Sequence, residues 1–478
     1  MNEAAHSSSI AERIVVVGRL LLQTPTHLGN GDVSFFTDSP VFRDRDGNPI
    51  LSGATLAGAL RAWLSRIDPM LANQLFGYVT GTREGKPAMS LETALLVNDA
   101  RSVDVAVEFR DGVAISPTTR TAEKGKKFDI ELLAAEMAFD VHLELNLRPD
   151  EEGSAQLKRG FVTVLKALED GAIALGKRKT RGFGECKVVE WRAQTFDLGQ
   201  PAQLLQWLRW DGSANTLALR GPRIESLIGV QALDSITQSF RLQAEFEIDG
   251  SLLIRAQDPS GNIDMMHLHS RRQGRAQPVL SGTSLAGALR ARAFRIANTL
   301  CADRERARQF VDRMFGPRAS EGVDLKQGEL RASRVRVKET VVEKGVSDLV
   351  QQRVKIDRFT GGAFPGALFA QAPLFGKPGA RVRIDLSLEQ PRLESQDQSS
   401  DLAEIGILLL LLKDLWTGDL PLGGESSVGR GRLKGINAVM IGPHGSWTIS
   451  SHGEALQVEG RDAMEKCVQA FHQEMTRL

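Results

Sequence analysis

Apolar residues dominate or alternate with polar ones in two stretches, "RIVVVGRLLLQ" at 13–23 and "FRLQAEFEIDGSLLI" at 240–254. Both patterns predict strands. A different period follows each. In "SGATLAGALRAWLSRI" (52–67), Leu56, Leu60, Trp63, Leu64 and Ile67 fall on one face of a helix. The same segment returns at 281–296 as "SGTSLAGALRARAFRI", identical at 11 of 16 positions without a gap. Strand patterns recur at "MAFDVHLELNLR" and "ARVRIDLSLEQ", and late helices at "GFVTVLKALEDGAIAL" and "DLAEIGILLLLLKDLW". The run 405–416 is too short to cross a bilayer and is interrupted by Lys413 and Asp414, so it predicts a buried helix.

Further landmarks repeat in the same order. "QLFG" ends at Gly77 and "RMFG" at Gly316; "LGKRKTRGFGECKV" (175–188) is answered by "LGGESSVGRGRLKG" (422–435). The offsets of 229, 239 and 247 grow along the chain, so the second copy carries small insertions. The expected organisation is a first copy at 10–192, a linker at 193–237, a second copy at 238–441 and a tail at 442–478 that ends in a helix. The β-α-β…β-α-β order in each copy predicts an α+β fold with a ferredoxin-like core, twice in tandem.

Charge changes the picture only locally. The 478 residues carry 60 basic and 59 acidic side chains, net +1. Any nucleic-acid contact must therefore come from local concentrations of Lys and Arg. One tyrosine in the chain argues against a base-stacking sheet surface of the RRM kind. Three scattered cysteines without CxxC spacing argue against a disulfide framework or zinc site and fit a reducing cytoplasm; no segment reads as a signal peptide or a membrane span. Thr55 and Ser284 are the expected helix N-caps, behind turns at Ser52-Gly53 and Ser281-Gly282. Small residues Ala57 and Gly58 would let another backbone come close. Amides at such a helix start attract phosphate, with Arg61 and Arg290 adding charge; the alternative is an ordinary capped core helix. The glycine-rich loops add Lys177, Arg178, Lys179 and Arg181 in copy one and Arg430 and Arg432 in copy two. Glycines admit a phosphate chain and the cations neutralise it, unless the loop is a solvated turn. No GxxxxGK[ST] is present, so nucleotide hydrolysis is not indicated.

The segment "DSPVFRDRDGNPILSGATLAGALR" (38–61) resembles the N-terminal signature of the RAMP superfamily, the repeat-associated proteins of CRISPR systems. It is most similar to the backbone subunits of type III effector complexes, and the two glycine loops resemble that family's C-terminal loop. Two fused copies resemble the tandem subunit of type III-D complexes. Ala57 and Ala286 stand where the family usually has Lys. The resemblance implies RRM-like RAMP domains, each with an inserted thumb hairpin, looked for at 114–137 and 354–374. It places Arg120 and Arg358 beside RNA, with Lys124, Lys126 and Lys127 as a local basic run. The implied partners are guide (CRISPR) RNA, single-stranded target RNA, other RAMP subunits and a polymerase-like large subunit, with no membrane.

The resemblance also implies target-RNA cleavage at Asp38 with a divalent metal, Mg or Mn, held there. Asp38 could instead be a turn residue ahead of Pro40, and Asp44 and Asp46 read as hairpin residues. Counting back from Ser281 without a gap puts His267 opposite Asp38, with Asp264 and His269 nearby; Arg271, Arg272 and Arg275 in the same loop favour RNA contact. Either Asp264 replaces Asp38 in copy two or that copy only binds. Two further readings stay open: a binding subunit with no nuclease activity, and a guide-processing endonuclease using His27 as general base.

Overall fold

The strand β1 (Glu12–Leu22) is apolar on both sides because both of its faces are covered. Ile14, Val16, Leu20 and Leu22 enter one core, while Val15 and Val17 enter a second, smaller one. The computed structural model describes residues 9–29, 31, 37–79, 90–102, 104–116, 119, 121–149, 151–234, 239–258, 260–317, 331–346, 349–389, 398–453 and 455–477. Two units are present. The first comprises Met1–Phe109, Asp129–Lys179 and Gly184–Ile236; the second comprises Arg110–Phe128, Thr180–Phe183 and Thr237–Leu478.

In chain order β1 is followed by helix α1 (Gly53–Ile67), the short strand β2 (Leu95–Val97), the paired strands β3 (Val107–Ile115) and β4 (Ala122–Leu133), whose residues Arg110–Phe128 belong to the second unit, then strand β5 (Ala138–Leu147), helix α2 (Glu151–Glu169) and strand β6 (Cys186–Asp197). Residues 193–237, expected as a linker, supply the end of β6, helix α3 (Pro201–Leu208), strand β7 (Leu219–Gly221) and helix α4 (Ile224–Ile228). The sheet order is β7-β6-β1-β5-β2, antiparallel throughout. Leu56, Leu60 and Leu64 of α1 and Phe161, Leu165 and Leu168 of α2 cover one face. Trp207 and Trp210 cover Val15, Val17 and Phe196 on the other. The Arg13 guanidinium lies 4.4 Å from the Trp207 ring centre.

The second unit repeats the order. Strand β8 (Ser239–Asp249) leads to the short strand β9 (Met265–His267), helices α5 (Gly282–Leu300) and α6 (Arg304–Phe315), and strand β10 (Val335–Val337). A hairpin of β11 (Gln351–Ile356) and β12 (Ala363–Ala372) precedes β13 (Leu374–Glu389), helix α7 (Gln398–Trp416) and β14 (Arg432–Gly442). In its sheet β14 lies beside β8, β8 beside β13, and β13 beside β10, matching β6-β1-β5-β2. The tail adds β15 (Gly445–His452), β16 (Ala455–Glu459) and helix α8 (Arg461–Thr476). Cys467 and Phe471 of α8 pack with the buried α7, as the apolar run 405–416 predicts. No helix among the described residues is long and apolar enough to cross a membrane. Glu339, its side chain fully buried, holds two guanidinium groups: Arg110 on both of its oxygens and Arg272 at 2.7 Å.

The helix starts differ from expectation. The N-caps are Ser52 and Ser281, not Thr55 and Ser284, because the residue with extended backbone lies three places earlier in each. Ser52 Oγ accepts from the Thr55 amide at 3.2 Å. The close backbone approach falls at the first helical glycine, not at Gly58. A Cβ on Gly53 would strike the carbonyl of Val97; on Gly282 it would strike that of Arg181 and sit 3.1 Å from that of Val337, while Gly58 has open space around it.

Gly53→Ala should therefore destabilise the chain by about 1–3 kcal/mol through overpacking against backbone. Gly58→Ala, exposed in mid-helix, should stabilise it by about 0.5–1 kcal/mol. Urea unfolding of the two variants beside the parent checks both signs.

Candidate nucleic-acid interface

Asp38 lies on a strip pinned along β4. Its Oδ2 accepts from the Asp129 amide at 2.9 Å, and Ser39 forms a parallel bridge with Ile130. Beyond it the Glu131 carboxylate accepts from the Val41 amide at 2.9 Å and from Arg43 at 2.6 Å. The Asp38 side chain is exposed. Asp44, as its turn position predicts, accepts from the amides of Asp46 and Asn48, both at 2.9 Å.

Copy two builds the same feature. Asp264 is exposed, and its Oδ2 accepts from the Ala370 amide at 2.7 Å. The following strand β9 runs parallel to β12, Met265 opposite Gln371. Asp264 is thus the counterpart of Asp38, and His267 is not. The offset from 38 to 264 is 226, against 229 from 52 to 281, so three extra residues between Asp264 and Ser281 displace the ungapped count.

His267 is a core residue. Its Nδ1 lies 3.3 Å from both the Ile254 amide and the Leu252 carbonyl, and its Nε2 lies 3.1 Å from the Val279 carbonyl. Burial first, and the neighbouring His269 second, lower its pKa to about 4. Among the described residues no group of three His, Cys, Asp or Glu is placed to hold an ion, and Asp38 is bonded to the main chain of a second carboxylate residue, Asp129.

His27 joins the Asp38 strip to the basic glycine loop. It is buried; its Nε2–H donates to the Ser39 carbonyl at 3.2 Å, and its own carbonyl accepts the Lys177 amide at 3.1 Å. Burial, then the charge of Lys177, holds its pKa below the ordinary histidine value. A buried ring bonded in this way positions two segments and is not exposed to act as a general base. The sequence contained the signal, a histidine between the first strand and the Asp38 loop, but not its role.

The glycine loops align without a gap, 176–184 on 423–431. Arg178 and Glu425, third in each loop, both adopt a left-handed backbone, φ 59° and 61°. Lys177, Lys179 and Arg181 are exposed. In copy two the same positions are Gly424, Ser426 and Val428, and Arg430 takes the buried place of Phe183. Arg430 is bonded to Glu425, Ser251 and Gln351, whereas Arg432 is exposed.

The helix starts carry less free charge than their sequence implies. The Gly53 amide donates to the Asp99 carboxylate at 2.7 Å, which leaves an acid where phosphate was expected. Ser281 is buried, with its hydroxyl on that of Thr283 at 2.6 Å; Ser284 is half-buried. Arg61 is bonded to Asn73 at 2.9 Å, and Arg290 to Asp312 and the Phe315 and Gly316 carbonyls. Arg272 is engaged by Glu339, while Arg271 and Arg358 are exposed. Arg120 lies outside the described residues. In the first hairpin Lys126 pairs with Glu123 at 2.9 Å and Lys127 with Asp111 at 3.4 Å.

The lowered pKa of His267 has a stated sign. Between the unfolded value near 6.5 and the folded value of about 4 the unfolded chain binds a proton that the native ring refuses. Stability falls as pH drops through that window, by about 2 kcal/mol from pH 7 to pH 5. His267→Gln should flatten this part of the pH profile, read by urea unfolding at each pH; an unchanged slope rules the assignment out.

Among known protein families the chain matches RAMPs, the RAMP superfamily, over residues 19–187 and again over 252–434. No curated protein matches it. Each matched region holds one helix start of the repeated type, one pinned aspartate and one glycine loop. With two matched regions covering most of its length, the chain belongs to the RAMP superfamily as a two-copy member, and membership implies an RNA-binding, CRISPR-associated subunit.

Proposed function

We propose that the chain is a guide-RNA-binding backbone subunit of a type III, III-D-like, CRISPR ribonucleoprotein. Its partners are then guide RNA, single-stranded target RNA, other RAMP subunits and a polymerase-like large subunit. The observation that carries the reading is the aspartate pinned to the hairpin-return strand in both copies, Asp38 on Asp129 and Asp264 on Ala370. The strand order β6-β1-β5-β2, repeated as β14-β8-β13-β10, supports a ferredoxin-like core in each copy. The hairpins β3–β4 and β11–β12 are read as the thumbs. In copy one Lys177, Lys179 and Arg181 supply charge for the RNA backbone.

Cleavage of target RNA at Asp38 is the second part of the proposal. The carboxylate is exposed yet oriented by a backbone amide, so it can be held against a bound strand without reordering. A kinked nucleotide would then bring its 2′-OH in line with the phosphorus. The binding-only alternative places cutting on a neighbouring subunit.

Two measurements test this. In the assembled complex Asp38→Asn should lower cutting at its own position at least about 100-fold while guide binding stays unchanged. Asp264→Asn should act likewise at a separate position, and persistence of every cut in the double variant leaves the binding-only subunit. Lys177→Ala with Lys179→Ala should weaken binding of single-stranded RNA and reduce the slope of log affinity against log salt by about 1.4, near 0.7 per phosphate contact; an unchanged slope removes the loop from the interface.

A further inference from the structure

The glycine loop of copy two has lost the charges of copy one and gained an acid. Glu425, at the position of Arg178, is surrounded by donors. Arg430 Nε reaches it at 2.8 Å, Arg353 Nη1 at 3.1 Å and the Gln371 side-chain amide at 2.5 Å. Arg430 spends its other nitrogens on Ser251 Oγ at 2.8 Å and Gln351 Oε1 at 2.6 Å. Gln351 and Arg353 lie on β11, and Gln371, opposite Gln351, lies on β12. The network therefore joins the loop to both strands of one hairpin at its base.

Beyond that base the hairpin has no core. Val354, Ile356, Phe364 and Leu368 are exposed, and Phe359 at the tip is 98% exposed. The tip is a hydrogen-bonded turn: Asp357 accepts from the Phe359 amide at 2.7 Å, and Lys355 lies 4.7 Å from the Phe364 ring centre. An isolated two-stranded ribbon is marginal in water, so its direction must be set where it is rooted. Burial raises the Glu425 pKa, but the bonds from Gln371 and Arg430 and the charge of Arg353 outweigh it and hold the carboxyl below its ordinary value. The carboxylate stays charged at neutral pH.

We infer that the copy-two glycine loop has exchanged phosphate contact for a clamp, with Glu425 and Arg430 as positioning residues that aim the hairpin carrying Arg358 and Phe359. The RNA half of this statement rests on the proposed function; the clamp itself does not.

Hydrogen exchange of the full chain without RNA tests the clamp. Glu425→Ala should speed exchange of the amides of β11 and of 368–371 at least tenfold while β8 is unchanged. Glu425→Gln, which keeps the shape and one acceptor, should fall between the two. Unaltered exchange in both variants overturns the clamp. For the RNA half, photo-crosslinking of a 4-thiouridine RNA should label the peptide 357–362 in the parent and lose that label in Glu425→Ala. The salt slope of binding should stay the same, because the loop touches no phosphate. A crosslink that persists, or a slope that steepens in Glu425→Gln, overturns the positioning role. Absence of RNA binding by the parent overturns the proposed function and leaves the exchange result to decide the clamp.

Discussion

Backbone passes backbone with no side chain between them where each glycine loop meets the end of the first strand. Gly176 lies against the carbonyl of His27, and Gly423 against that of Leu253. Any Cβ there would occupy the space of the carbonyl, and both glycines have positive φ, 79° and 80°. The crossing is then closed by the same bonds in each copy. Leu175 donates to the Gly184 carbonyl at 2.8 Å and Gly184 to Pro25 at 3.1 Å; Leu422 donates to Gly431 at 2.9 Å and Gly431 to Ser251 at 2.7 Å. These bonds steer the chain into the last strand beside the first, β6 on β1 and β14 on β8. The Asp38 strip hangs from the same crossing through His27.

On that common frame the copies have diverged in charge. Copy one leaves Lys177, Lys179 and Arg181 exposed. Copy two buries its one loop arginine inside the fold and fills the left-handed position with a carboxylate. A buried arginine that replaces Phe183 needs partners for its nitrogens, and Glu425, Ser251 and Gln351 accept one bond from each of the three. Glu339 shows the same rule elsewhere in the second unit. Its buried carboxylate is matched by Arg110 and Arg272, and removing both would leave a charge out of water without compensation, a cost of about 3–5 kcal/mol. Arg272 is thus held by Glu339 within the second unit, in a loop whose arginines read from sequence as RNA contacts.

Much of the architecture was legible because periodicity and repetition report burial directly. The apolar run of α7 and the double-faced apolar β1 need nothing beyond their own sequence to be placed inside. The helix caps were misread by three residues because Ser52, Thr55, Ser281 and Ser284 are equally good cap types; only backbone angles separate them. Asp264 was obscured by a three-residue insertion that no single pattern marks. The linker and tail read as appendages because the strands β7 and β16 are short and gain their stability from the sheet edges they extend.

The sequence alone determined that this is one domain type written twice, which elements it contains, and where the glycines and the candidate aspartates lie. Those are properties of local period, turn chemistry and self-similarity. The tertiary structure decided which charges remain available. Whether an arginine faces solvent or a carboxylate depends on residues distant in the chain, Asp312 on Arg290 and Glu339 on Arg272, and in the same way Asp99 takes the Gly53 amide. Ion pairing at such separations has no signature in the linear pattern, because it is the fold that brings the partners within hydrogen-bond distance.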